Sequence, residues 1–188
     1  GSLIDKGGAG MTRQQISDAL DKLQAQVGIG GSGQTVSANI TTKRDRLPAV
    51  IELVGKLLRE PAFPAEPLEE ARRQWLTGIE RQRKEPDALI DNMIGRHGNP
   101  YPRGDLRHTQ TFDEAEQDVK AVTTEQVRAF HKRFYSAAQG EFTAVGDMDV
   151  AAARKALDSA LGSWRAPAEG AGKFVRLPQP LVAAPPLR

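Results

Sequence analysis

The side chains with the widest chemical range in this sequence are three histidines, His97, His108 and His131, and no cysteine accompanies them. Imidazoles invite a test for zinc hydrolysis, which needs three protein ligands around an open coordination position and a carboxylate to handle the water proton. The inverted motif His-x-x-Glu-His meets part of that need by setting two histidines on adjacent helical turns. No histidine here has another three or four residues away, so the spacing predicts surface or hydrogen-bonding roles for all three. Nucleophilic catalysis has no better footing, because there is neither a thiol nor a Gly-x-Ser-x-Gly elbow. The run Gly28-Ile29-Gly30-Gly31-Ser32-Gly33 lacks the Gly-Lys-Ser/Thr ending of a phosphate loop. It also follows a predicted helix and precedes a predicted strand, the reverse of the required order, and so reads as a turn. The adjacent Glu69 and Glu70 read as a first-turn complement to a helix dipole rather than an acid/base pair. Residue types and spacing alone therefore give no catalytic residue and no metal ligand.

Positioning such residues would fall to a chain that is mostly helical by pattern. Thr12-x-x-Gln15 is a capping box, and Ile16, Ala19, Leu20, Leu23 and Val27 follow as one helical stripe. Gln34 to Thr42 alternates as a half-buried strand, with Val27–Ile29 as its hairpin partner across the glycines. A helix over about 46–59 carries Pro48 in its first turn and the stripe Val50, Ile51, Val54, Leu57 and Leu58. Pro61, Pro64 and Pro67 punctuate a loop before a highly charged helix over about 67–84, whose apolar line is Leu68, Ala71, Trp75 and Ile79. Further helices are expected at 87–96, after the capping box Thr123-x-x-Gln126, and over 150–161. A loop spans 98–104, and Glu141 to Val145 reads as a short strand. Helix exceeds strand in mixed order, which predicts an α+β fold with a small, mainly antiparallel sheet covered by several helices.

The chain has 188 residues, 39% apolar and 27% charged, the proportions of an ordinary globular domain. Its 26 basic and 24 acidic residues leave a net charge of +2, which gives no electrostatic reason to expect nucleic acid. No apolar run approaches the roughly 20 residues of a membrane span. Gly1-Ser2-Leu3-Ile4-Asp5 has neither the basic start nor the apolar middle of a signal peptide. With no initiating Met, the chain reads as a piece of a longer parent.

Several segments, in order, resemble landmarks of the M16 (insulinase-like, inverzincin) zinc peptidases. Lys6-Gly7 and Thr12 to Leu23 resemble the segment just after that family's zinc-binding helix. Leu47 to Val54, followed by Leu58-Arg59-Glu60-Pro61-Ala62-Phe63-Pro64, is similar to a family helix and its Pro-x-Phe-Pro turn. Asn99-Pro100-Tyr101-Pro102-Arg103-Gly104, Phe130-His131-Lys132-Arg133-Phe134-Tyr135 and Val145-Gly146-Asp147 resemble later landmarks. The resemblance covers about residues 3–165 and implies part of an M16 (LuxS/MPP-like metallohydrolase) domain over 1–165. Residues 166–188 then form a Pro/Ala-rich connecting segment.

Within that resemblance the departures carry the functional expectation. Active members have His-x-x-Glu-His upstream of the position matching Leu3, where this sequence does not reach. They also carry two glutamates in the helix after the Phe-Pro turn, the second being the third zinc ligand. Those positions fall on Ala71 and Gly78, neither of which has a side-chain oxygen. The resemblance thus implies the non-catalytic version of the domain, with no cofactor of its own and zinc in the catalytic half of the parent. The expected partners are a catalytic M16 domain in the same chain or a second subunit, a peptide held between the halves, and a second copy of the fragment. No substrate-binding residue is assigned, and a periplasmic or cell-envelope parent is expected by analogy with bacterial members. The competing class is a non-enzymatic assembly subunit with the same fold.

Overall fold

The structure is a computed structural model and describes residues 3–32 and 35–165, whose contacts divide into two units. The first unit holds the described residues up to Leu68 and those from Thr124 onward, and the second is Glu69–Thr123.

In the first unit a 3-10 turn, Ile4–Lys6, leads into an antiparallel ribbon of β1 (Gly7–Gly8) and β2 (Met11–Thr12). The ribbon lies against the chain at residue 60, where Ala9 N–H donates to the Glu60 carbonyl at 2.8 Å. A Cβ on Gly8 would stand 2.8 Å from that same oxygen, so the approach requires glycine. Helix α1 (Arg13–Lys22) starts on both halves of its capping box. Thr12 Oγ1 accepts the Gln15 N–H at 3.3 Å, and Gln15 Oε1 accepts the Thr12 N–H at 2.8 Å. The helix stops short of Val27, which the periodicity had placed on its stripe, because Gln24 turns to φ 49.

Val27 instead belongs to β3 (Gln26–Ser32), antiparallel to β4 (Thr35–Thr41) in a register from Gln26↔Thr41 to Ser32↔Thr35. The hairpin was expected, but the glycines were expected as its turn. Gly28, Gly30 and Gly31 lie within the strand, because ladder pairing with β4 overrides their weak intrinsic preference. Val27, Ala38 and Ile40 face a core formed by Ala25 and by Val50 and Val54 of α2 (Leu47–Arg59). The neighbouring position on α2, Ile51, packs on Ala153 and Ala156 of α7 (Val150–Leu161). Helix α2 is thus buried on two sides, and α7 approaches it through alanines. Helix α6 (Thr124–Phe134) completes this unit.

Helix α3 (Ala65–Gln82) takes Pro67 into its first turn, so it starts two residues before the expected boundary. Its later part, from Glu69, belongs to the second unit with α4 (Pro86–Arg96) and α5 (Phe112–Ala121). Helix α5 was not expected. Its capping box is complete: Thr111 Oγ1 accepts the Glu114 N–H at 3.0 Å, and Glu114 Oε2 accepts the Thr111 N–H at 2.9 Å. The Arg72 guanidinium of α3 donates to the carbonyls of Val119, Lys120 and Val122, which α5 leaves unpaired at its C-terminal end. Three such carbonyls gathered on one cation fix the end of α5 against α3.

Every strand pair among the described residues is antiparallel and helix predominates, so the α+β expectation holds, although the sheet is two separate ribbons. The strand expected at Glu141 to Val145 is not formed. No described segment supplies a ladder for it, and Val145 is 98% exposed. Trp164, just before the expected connecting segment, stacks on His131 with ring centroids 6.1 Å apart. The expected connecting segment 166–188 lies outside the described residues.

Candidate functional site

The positions that matter most by resemblance, Ala71 and Gly78, lie seven residues apart on α3 and therefore about two turns apart on one face. Trp75 stands between them and is 66% exposed, while Ile79, one residue past Gly78, is buried. An exposed indole thus stands between the two positions that the resemblance assigns to glutamates. A Cβ at Gly78 would meet nothing within 4 Å, so packing does not exclude a side chain there. A methyl group and a hydrogen offer no lone pair to a metal, and these residues do not fit a zinc site. Among the described residues no group of three His, Asp or Glu side chains is placed to hold an ion.

The three histidines have separate surroundings. His97 is the C-cap of α4, its N–H bonded to the carbonyls of Met93 and Ile94. His108 lies between two oxygens: Nδ1 is 2.9 Å from the Tyr101 carbonyl and Nε2 is 3.1 Å from Glu114 Oε2. The Tyr101 carbonyl, and after it the Glu114 carboxylate, raise its pKa above the usual histidine value. His131 is buried on α6, with Nε2–H donating to the Leu58 carbonyl at 2.8 Å and with Phe63, Tyr135 and Trp164 around its ring. Burial lowers its pKa, and the Leu58 carbonyl opposes that in part. Leu58 lies in the last turn of α2, so His131 satisfies an end carbonyl, the same service that Arg72 gives α5.

The loop between α4 and α5 is braced by side chains. Asn99 Nδ2 donates to the Arg107 carbonyl at 2.9 Å and to Thr109 Oγ1 at 2.8 Å. Arg107 grips Asp105 through Nε and Nη2 and lies over the Tyr101 ring at 3.9 Å. Arg107 holds the Asp105 carboxyl down at about 2. Glu114, which ties this loop to α5, was missed with its helix, although Thr111-x-x-Glu114 is a legible capping box. An open groove of about 430 Å³ beside it is lined by Leu89, Met93, Arg96 and Phe112, with Arg83 and Asp113 paired at 2.7 Å.

Comparison with known families adds a match between residues 121–187 and the model described as the peptidase M16 inactive domain. The solved peptidase M16 inactive domain from Pseudomonas fluorescens superposes with a TM-score of 0.70 at 22% identity, covering 95% of this chain and 42% of that one. The chain has the fold of an M16 inactive domain. The same fold recurs in a protease from Helicobacter pylori, with a TM-score of 0.68 at 14% identity over 97% of this chain and 42% of that one. It recurs again in the periplasmic protease PqqL from Escherichia coli, at 0.66 and 17% over 95% and 20%. The chain spans less than half the length of each of these solved chains. No curated protein matches it. No helix among the described residues is long and apolar enough to cross a membrane.

Proposed function

We propose that this chain is a stretch of the non-catalytic half of an M16 zinc peptidase and performs no hydrolysis itself. Its role is to form part of the wall of a chamber that the catalytic half closes, in the same polypeptide or as a second subunit. The observation that supports this reading is the face of α3 that presents Ala71, Trp75 and Gly78, with no oxygen to offer a metal. Residues 1–165 then belong to the domain proper and 166–188 to a connection. The fold likeness to a periplasmic protease supports a parent in the periplasm or cell envelope.

The test is metal analysis after dialysis against buffered zinc, together with a peptide cleavage assay. The expected result is no stoichiometric zinc and no chelator-sensitive cleavage. The double variant Ala71→Glu with Gly78→Glu should also stay inactive, since it supplies carboxylates without the paired histidines. One tightly held zinc per chain, lost on replacing His97, His108 or His131, would overturn the reading. Cleavage that requires this chain together with a His-x-x-Glu-His partner supports the peptidase role; assembly without such a partner would point to the scaffold class.

A further inference from the structure

One imidazole stands between the α4–α5 loop and the start of α5. His108 Nδ1 faces the Tyr101 carbonyl at 2.9 Å and Nε2 faces Glu114 Oε2 at 3.1 Å. A carbonyl and a carboxylate only accept, and only the imidazolium carries a proton on each nitrogen. Neutral imidazole keeps one of these bonds and turns a lone pair toward the other oxygen. Glu114 is itself the second half of the α5 capping box, since its Oε2 also accepts the Thr111 N–H at 2.9 Å. We propose that His108 is a proton-operated latch that, as the imidazolium, binds the Tyr101 stretch of the loop to the N-terminus of α5 and, on losing its proton, lets that stretch go.

The other charges around the ring have partners of their own. Asp105 is paired with Arg107 at 2.8 Å and ionises at about 2. Arg103, the nearby cation opposing the His108 charge, is held by Asp118 at 2.8 Å. The braces from Asn99 and Arg107 therefore keep the loop's own path while its attachment to α5 changes. What remains of that attachment, Arg103 to Gln117 and Asp118 and Gln110 to Asp118, is solvent-exposed and weak. The direction follows from the two shifts. His108 is raised above its ordinary 6.5, so the latch holds below that value and opens as pH rises through the raised one. Glu114 is lowered from 4.5, chiefly by the Thr111 N–H and then by His108, so the latch fails on the acid side only below 4.5.

The test follows the three imidazoles by NMR from about pH 5 to about pH 9 in the whole chain, beside amide hydrogen exchange corrected for base catalysis. The His108 midpoint should lie above 6.5 and above that of His131. Exchange at Thr111, whose N–H shares the Glu114 Oε2 atom with His108, should accelerate on the order of tenfold across that midpoint. Glu114→Gln keeps an acceptor for the Thr111 N–H and removes the charge, and should lower the His108 midpoint with α5 still formed. His108→Gln should show the fast exchange at every pH. A wild-type midpoint at or below 6.5, or exchange indifferent to the titration of His108, would overturn the latch, and so would low-pH protection that survives in His108→Gln.

Discussion

Gly78 and Gly55 are both helical glycines, and what stands beside each gives opposite expectations for the same substitution. At Gly78 a new methyl group would meet nothing within 4 Å, so Gly78→Ala gains only helix propensity and should stabilise by about 0.5–1 kcal/mol. At Gly55 the new Cβ would stand 2.6 Å from Ala160 Cβ, which must move, and α7 with it. Overpacking of that kind costs roughly 1–3 kcal/mol, more than the propensity returned, so Gly55→Ala should destabilise. Urea unfolding of the two variants beside the parent checks both signs. His131 gives a pH expectation from its own burial. Its pKa is lowered, so below the ordinary 6.5 the unfolded chain takes up the proton first and stability falls as pH decreases toward the lowered value. This is opposite in sign to His108, so the probe must belong to the first unit. Trp164, stacked on the His131 ring, provides one by its fluorescence. Unfolding followed there should be easier at pH 5 than at pH 7.5, and His131→Gln should flatten that dependence.

At the level of elements, the helices whose sequence carried both a start signal and a broad stripe were readable. Thr12 with Gln15 set α1, and Val50, Ile51, Val54 and Leu57 set α2, because each signal is local to its own segment. Helix α5 has no buried residue and so little stripe; its one strong signal was the Thr111 cap. The strands depended on partners that no local pattern announces. The glycines of β3 extend because β4 lies alongside, whereas Glu141 to Val145, with better strand formers, has no described neighbour and stays unpaired. Equally illegible were the long side chains that close helix ends. Arg72 reaches carbonyls about fifty residues away, Arg59 Nη1 donates to the Ala160 carbonyl at 3.0 Å, and His131 reaches Leu58. Each of these looked like a surface charge or a lone histidine in sequence. The expectation that this stretch holds no metal came from counting from Phe63-Pro64 to Ala71 and Gly78 rather than from any periodicity.

For the whole molecule, the last expectation concerns surface that its own described residues leave bare. In the second unit Leu89, Ile90, Met93 and Ile94 recur on α4 with no buried residue among them, and Trp75 stands out from α3. In the first unit Phe130 and Phe134 pair on α6 with centroids 4.7 Å apart, and both are exposed, as are Phe142 and Val145 on the unpaired stretch. The Pro-rich stretch Leu177 to Val182, whose lack of a core of its own suggested the same, lies outside the described residues. Scattered apolar side chains are normal on a surface, but clusters on consecutive helical turns are not. Near-balanced charge, 26 basic against 24 acidic residues, offers little long-range repulsion to keep copies apart. The purified chain should therefore associate with itself or, on the proposed reading, with a catalytic M16 half, through buried apolar area, and that association should be insensitive to salt. Sedimentation over a range of concentrations, at low and high salt, measures this directly. Replacing Ile90, Met93 and Ile94 together by serine should weaken the self-association if α4 carries it, and Phe130→Ser with Phe134→Ser should do so if α6 does. A strict monomer at every concentration, forming no complex with the rest of the parent, would mean that these faces are simply solvated and that the chain is not half of a larger assembly.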